Sequence, residues 1–597
     1  MVKRTLIATA LEETWPSFET PVIFLGEWCK IYNRKHIWEH FDSQTHPYHW
    51  DNREKFKNDY YQLESLYEEI LLPEVAKNLN RIHGIDQDLQ YWRILIGPWL
   101  GYFTHILFDR YEVVQGVVRD SDSDNLTVFE FFNFNPEEIT PNDSADFFSL
   151  HITDYWNQYI YQKVIEEISP QTKENQDDIP KIDRAHQRGL EKTFFSSFRE
   201  RAKNLFYSIM SYGISDKESF FIGDYLPWKI SFLLQLRLGT IPRKRRFENL
   251  PRFQNRSEDR SKWVVSSSSS KFESFVKRMI PLQIPKVFIE GFASLQKELK
   301  NKKWPSKPKL IFTSNSHVDN DLFKLFAAEK RKHGTPLILS QHGGFYGIGA
   351  FSFLEEHETS ISDAYLTWGW TKSGKTNLFP IGCTKLASTR MVKARHQDGN
   401  AVLVLNGIPR YSYYMYSIPQ SSQHRFYLED QWNFVDSLSE DIRKKLTVRF
   451  YPQDYGWCQD ERWRECFPTL DYMEKGSDLE KVLNRFRIYI STYNATTYLE
   501  SFYKNIPTII YWNPKYWEIR EEAKPYFQSL EKVGIFHPNP KEASKFLTQQ
   551  WDRIDLWWNQ EDVQNARMEF LNRYCKKIDN PVFTLSNELN LLSEKKR

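Results

Sequence analysis

The run Ile488-Tyr489-Ile490-Ser491-Thr492-Tyr493-Asn494-Ala495-Thr496-Thr497-Tyr498-Leu499-Glu500, followed by Ile506-Pro507-Thr508-Ile509-Ile510-Tyr511, decides how this chain is read. It is an apolar strand, a turn crowded with small hydroxyls, a short helix and a second apolar strand. Elements alternating in this way belong to a parallel α/β sheet. A helix start presents unpaired backbone N–H groups and the positive end of the helix dipole, which together favour a phosphate. Ser491, Thr492, Thr496 and Thr497 stand at that start, and Glu500 follows at a spacing that brings its carboxylate toward the same place. The expectation is a nucleotide site.

The same alternation extends in both directions. Strands are expected at 401–405 and 446–451 in the same run, and at 309–313, 336–340 and 364–367 in an earlier one. Between the last two runs, Phe379-Pro380-Ile381-Gly382-Cys383-Thr384-Lys385 looks like a crossover, with a domain boundary near 385–400. Asp319 or Asn320 is placed to cap a helix that carries Leu322, Leu325, Phe326 and Ala327 on one face and stops at Gly334. Residues 1–250 are mixed. They include a strand at Val22-Ile23-Phe24-Leu25 and a buried helix from Tyr91 to Phe108, which Gly97-Pro98 is expected to kink or divide. The organisation that follows is an N-terminal Rossmann-like domain with helical insertions (1–390), a C-terminal Rossmann-like domain (391–560) and a charged helical tail (561–597). The polar segment 253–272, with its serine run Ser266 to Ser270, is expected to be a mobile surface loop.

At 597 residues the chain is too long for one core. With 40% apolar and 26% charged residues it is globular, and its net charge of +2 gives no general attraction to nucleic acid. The Trp 20, Tyr 32 and Phe 43 are mostly core, although rings also suit sugar faces. Five scattered cysteines without a CxxC pair suggest a reducing compartment and no zinc site. The first eleven residues read as a strand rather than a leader, and no apolar run reaches membrane-spanning length. A cytoplasmic protein is expected. The cluster Arg243-Lys244-Arg245-Arg246 reads as a solvated loop or, alternatively, as the candidate for peripheral contact with the inner membrane surface.

Gln341-His342-Gly343-Gly344 directly follows a buried strand, where the loops of open α/β sheets converge on ligands. The two glycines leave the imidazole of His342 unscreened, so His342 is the candidate general base toward an acceptor hydroxyl. Arg449-Phe450-Tyr451-Pro452-Gln453-Asp454-Tyr455-Gly456 also lies where a strand ends. There Arg449 suits a phosphate, and Tyr451 a nucleotide ring. Arg410, in Asn406-Gly407-Ile408-Pro409-Arg410, is a weaker phosphate candidate. Gly369-Trp370-Thr371-Lys372-Ser373-Gly374-Lys375-Thr376 matches GxxxxGK[ST], but Pro380 leaves no room for the helix that must follow, so it reads as an exposed loop. The overlapping Asp-x-Asp pairs in Asp120 to Asp124 read as a solvated turn. Without HExxH, GxSxG or GxGxxG motifs, zinc proteolysis, α/β-hydrolysis and dinucleotide redox chemistry lose their usual support.

Taken together, the histidine loop, the crossover and the hydroxyl-rich helix start resemble the GT-B glycosyltransferases. The Gln-His-Gly-Gly, Tyr-Pro-Gln-Asp-Tyr-Gly-Trp and Ser-Thr-Tyr-Asn-Ala-Thr-Thr-Tyr-Leu-Glu segments are similar to a family of transferases encoded in bacterial O-antigen and surface-carbohydrate gene regions. The likeness extends to Tyr91–Leu100. It implies two Rossmann-like domains facing a cleft and transfer of a sugar from a nucleotide-sugar donor, CMP- or CDP-linked, to a glycan or lipid-linked glycan hydroxyl. Arg449, Tyr451, Ser491, Thr492, Thr496, Thr497, Glu500 and Arg410 would hold the donor. His342 would act as base on the acceptor side with Gln341, Gly343, Gly344, His317 and Arg93, and no metal or other cofactor is implied. Capsule-type Kdo transferases and CDP-glycerol phosphotransferases carry a His-Pro pair that contacts phosphate where this chain has Tyr451-Pro452. That difference leaves Arg449, Ser491 and Thr492 as replacements. The alternatives are a CDP-polyol phosphotransferase, a nucleotide-sugar epimerase and a non-catalytic glycan-binding protein.

Overall fold

The computed structural model describes residues 4–120, 129–168, 173–178, 215–245, 249–389, 399–474 and 483–594. The chain opens with a small parallel sheet, β1 (Thr5–Ile7), β2 (Val22–Phe24) and β3 (Ser43–Thr45), and a second parallel pair follows, β4 (Phe129–Asn133) with β5 (Lys173–Asp178). Between these sheets runs the helix Leu89–Asp120, 32 residues long and buried on nearly every side from Tyr91 to Val117. Pro98 does not divide it. It lacks a polar face because helices pack around it: Asp154–Ile168, Asp321–Lys332, Phe353–Ile361, Leu72–His83 and Lys271–Gln283 all touch it.

The first large sheet contains β6 (Phe220–Phe221), β7 (Ile311–Thr313), β8 (Leu337–Ser340), β9 (Ala364–Leu366) and β10 (Leu378–Phe379), all parallel, in the order β10-β9-β8-β7-β6. Its central strands are buried on both faces, as their unbroken apolar sequences require. The expected helix after β7 begins at Asp321. Asn320 caps it through Oδ1, which accepts the Phe323 N–H at 3.0 Å, and Gly334 ends it at φ +86°.

The second large sheet contains β11 (Ala401–Val404), β12 (Leu446–Arg449), β13 (Asp471–Tyr472), β14 (Ile488–Ser491), β15 (Thr508–Tyr511) and β16 (Phe536–His537). Its order is β13-β12-β11-β14-β15-β16, parallel throughout. Connections leave β11 in opposite directions, so β11 and β14 are neighbours at the point where the order reverses. In open α/β sheets such a point, beyond the carboxyl ends of the strands, is where ligands bind, and here it falls between Leu405-Asn406-Gly407 and Thr492–Thr497.

Two crossings join the halves. The 379–385 segment leads out of the first sheet, and after the helix Glu561–Tyr574 the chain returns beside it, Cys383 N–H donating to the Lys576 carbonyl at 2.8 Å and Lys576 N–H to that of Trp368 at 2.8 Å. The last helix, Pro581–Glu594, then lays Leu585, Leu589 and Leu592 on the first sheet with Phe312, Ile338 and Leu366. The segment 253–272 is pinned to the surface. Arg260 donates to Glu290 at 2.7 Å, the Val264 N–H to Asn78 at 2.9 Å, and Lys277 to the Ser267 carbonyl at 2.9 Å. The architecture is α/β: two Rossmann-like domains facing a cleft, with a helical elaboration of the first.

On the surface one sequence expectation changes and another holds. The basic cluster at 243–246 is not a free cationic patch: Arg243 is buried against Glu218 at 2.5 Å, and Arg245 donates to the Phe221 carbonyl with its guanidinium over the Phe220 ring. Lys244 is exposed, and Arg246 lies outside the described residues. No helix follows the GxxxxGK[ST] match, whose Lys372 and Lys375 pair with Glu356. Of the Asp-x-Asp stretch, only Asp120 is among the described residues.

Candidate active site

Gln341 shapes the histidine loop. Fully buried at the end of β8, it accepts through Oε1 from the Trp368 N–H (2.8 Å) and Trp370 Nε1 (2.7 Å), and its Nε2 donates to the Gly343 carbonyl at 2.8 Å. Every polar atom of the amide end is thereby used to fold the His-Gly-Gly turn against the loop after β9. The amide of Gln341 is thus buried and spent within these loops.

Behind His342 lies a carboxylate that the sequence did not single out. Glu358, fully buried on the helix Phe353–Ile361, accepts from His317 Nε2 (3.1 Å), Tyr346 Oη (2.9 Å) and Tyr365 Oη (2.8 Å). His342 Nδ1 stands 3.7 Å from the same Oε1, and Tyr346 Oη lies 3.4 Å from Nε2. Burial works to raise the Glu358 carboxyl, but His342, His317 and the hydrogen bonds outweigh it and hold Glu358 below the usual range. Burial also pulls His342 below its ordinary value; Glu358 opposes this and His317 adds to it. The imidazole is therefore neutral at pH 7. At 3.7 Å the carboxylate acts on Nδ1 through its charge and not through a hydrogen bond, and Nδ1 has no hydrogen-bond partner among the described residues. The side chain of His342 is 21% exposed, so it retains an opening to solvent.

The second domain meets this loop directly. The Gly344 N–H donates to Thr496 Oγ1 at 2.9 Å, and a Cβ on Gly344 would lie 2.8 Å from the Thr496 Cα and 2.9 Å from the Ala495 carbonyl carbon. Only glycine allows the loop to come this close to the helix Thr496–Tyr503, whose start has no side-chain cap. Thr497 Oγ1 donates to Tyr493 Oη at 2.9 Å. Burial pushes the Tyr493 phenol up to about 12, with the Thr497 hydroxyl and the Arg449 charge opposing and Tyr451 and Glu500 adding to the shift. Tyr451 is 38% exposed, and its ring stacks on Tyr455.

Other expected site residues lie elsewhere or have other partners. Thr492 is fully buried and ties β14 to β11, donating to the Val404 carbonyl at 2.9 Å and lying 2.6 Å from Tyr427 Oη. Ser491 is equally buried and donates to the Tyr493 carbonyl. Glu500 is paired with Lys385 of the crossover at 2.6 Å. Arg410 does not reach the site, because it is buried against Asp154 and the Trp28 carbonyl as a brace to the N-terminal sheet. His317 belongs to the Glu358 network, whereas Arg93 pairs with Glu68 at 2.6 Å beside His357 and away from the cleft.

Sequence reasoning also passed over Tyr413-Tyr414-Met415-Tyr416. Their rings run from Tyr102 on the long helix to Phe345, which stacks on Tyr416 at 5.5 Å and 8°, so they wall the space between the histidine loop and Tyr451/Tyr455. Three tyrosines within four positions were the available signal. Among the described residues no group of three or more His, Cys, Asp or Glu side chains could hold a metal ion, and no helix is long and apolar enough to cross a membrane. Two described cavities of about 780 Å³, one by Tyr61, Trp517 and Arg520 and one by Thr389, Tyr503 and Arg567, are lined by neither His342 nor Arg449.

Two solved structures, spinosyn rhamnosyltransferase SpnG complexed with spinosyn aglycone and SpnG, are each similar over 50% of this chain at 11% identity and a TM-score of 0.29. The matches cover 77% and 76% of those chains. No curated protein matches the sequence. The profile of the LIC12162 family transferases matches residues 4–589, nearly the whole length, including the His342 loop, the Arg449 strand end and the Thr496 helix start. The chain is a member of the LIC12162 family of transferases.

Proposed function

We propose that this transferase moves a sugar from a nucleotide-sugar donor to a hydroxyl of a surface polysaccharide of the O-antigen type, free or lipid-linked. The observation that carries the reading is the Gly344 to Thr496 hydrogen bond, which sets a neutral, carboxylate-backed imidazole beside an uncapped helix start. The donor phosphates would lie on the N–H groups of that helix with Thr497 and Arg449, the base on Tyr451, and a ribose hydroxyl on Glu500. The sugar would pack on the Tyr413–Tyr416 wall. His342 Nε2 takes the acceptor proton as the acceptor oxygen bonds the anomeric carbon, and the bond from that carbon to the phosphate oxygen breaks. Arg449 and the helix N–H groups receive the charge that develops on the departing phosphate.

The test is a thermal-shift screen against CMP, CDP, UDP and GDP. One of them should raise the Tm, by an amount corresponding to about 2.7 kcal/mol at a hundredfold excess over Kd. Arg449→Ala should remove most of that shift. If no nucleotide stabilises the protein, the donor assignment fails.

A further inference from the structure

The helix Trp228–Arg237 is apolar on two opposite sides. Its inner side places Leu234 and Leu238 in the core under the first sheet, with Leu585 and Leu589 of the last helix. Its outer side should then be polar, as on an ordinary surface helix. Instead Trp228, Leu233 and Leu236 are 58%, 49% and 49% exposed, with Phe232 half-buried beside them. At helical spacing Lys229, Phe232, Leu233, Leu236 and Arg237 form one stripe, with a cation at each end. Phe583 of the last helix, 53% exposed, extends the stripe where the Arg237 guanidinium sits 4.9 Å from its ring.

The stripe itself carries a cation at each end, Lys229 and Arg237. Lys229 lies 5.8 Å from the Trp228 ring, and Lys244 is exposed and close enough to Asp224 to act on its carboxyl. Asp224 is spent on Ser231 and the Leu226 N–H; Glu588 and Glu594 of the last helix are the acidic groups alongside. An outward tryptophan and leucines bracketed by lysine and arginine match the boundary of an anionic bilayer, where rings and aliphatic chains enter the headgroup region and cations meet phosphates. The surface also has a definite place in the molecule. Tyr225, three residues before Trp228, holds its ring 6.0 Å from that of His342.

We infer that the outer face of Trp228–Arg237, with Phe583, docks the protein on an anionic lipid bilayer and sets the His342 side of the cleft at the membrane surface. The docking surface is apolar with basic ends. The inference concerns a different face from the donor site and stands independently of the sugar-transfer reading.

The test is cosedimentation of the full-length protein with vesicles of equimolar phosphatidylglycerol and phosphatidylcholine, and with phosphatidylcholine alone. Wild type should pellet with the mixed vesicles and far less with the neutral ones. Leu233→Glu with Leu236→Glu should lower the partition at least about tenfold at unchanged Tm, and Lys229→Glu with Arg237→Glu should remove the preference for the anionic lipid. Because all four positions are exposed, these variants should fold; Leu233→Ala with Leu236→Ala gives a milder control with the same direction of effect. The inference is overturned if wild type stays in the supernatant, or if the leucine variants pellet like wild type. It is equally overturned if light scattering shows a dimer that Leu233→Glu dissociates and vesicles do not displace, since the face then belongs to a second copy.

Discussion

Each side chain around His342 is committed to a different task. Gln341 folds the loop, Glu358 holds His317 and the adjacent phenols and sets its charge beside the imidazole, and His342 itself keeps an open edge. Glu358 raises the affinity of His342 for a proton, while burial lowers it more. Replacing Glu358 by Gln removes the charge and should therefore move the acid limb of the kcat pH profile to lower pH. It should also cost about 1–3 kcal/mol of stability, because three buried donors lose their anionic partner. A profile whose acid limb stays in place, or moves upward, would show that Glu358 does not act on the group that titrates.

At the scale of elements, the decisive contact is between the loop after β8 and the helix after β14. Gly344→Ala would press a methyl group into the Thr496 and Ala495 backbone, which cannot turn away as a side chain can. The two elements must separate, at roughly 1–3 kcal/mol. The expected result is a modest fall in Tm with a large fall in transfer; unchanged turnover would mean the close approach is not needed. These elements were legible in the sequence because their signals are local: apolar strands, a hydroxyl-rich turn, Asn320 at a helix start and Gly334 at its end. The roles of individual residues were less legible, since partners come from far along the chain. Arg410 looks like a phosphate ligand until Asp154, 256 residues away, takes it. Glu358 lies in an unremarkable Glu-Glu-His-Glu helix, and only the packing of β7, β8 and β9 brings His317, His342 and Tyr365 to it. Thr492 resembles a ligand hydroxyl, but its position at the end of a doubly covered strand turns it inward.

Across the whole molecule, burial holds imidazoles neutral in every region: His105 to about 3 and His151 to about 4 around the long helix, His357 well below its ordinary value in the first domain, and His424 likewise with His537 to about 4 in the second. Their folded-state affinities lie below those of the unfolded chain, so the unfolded state binds more protons at low pH. The stability they contribute is complete above about pH 6.5 and falls as the pH drops toward the folded values, by about 1.4 kcal/mol per pH unit for each group. Asp430, pushed up by burial to about 6, works in the opposite sense, as do the burial-raised carboxyls of Glu64, Asp143, Asp224, Asp319, Glu329 and Glu355, whereas Asp109, Glu356 and Glu358, held low by their partners, act with the imidazoles. The Tm should decline steadily from about pH 7 to about pH 5; a flat or rising Tm would contradict the burial of these rings. The central claim, that the two domains divide donor binding from proton transfer across one cleft, is tested most directly by comparing His342→Ala with wild type for nucleotide binding by calorimetry and for sugar transfer. The account predicts an unchanged Kd for the nucleotide and turnover lower by about 10²–10⁴-fold. Retained turnover, or loss of nucleotide binding together with it, would contradict the division of roles.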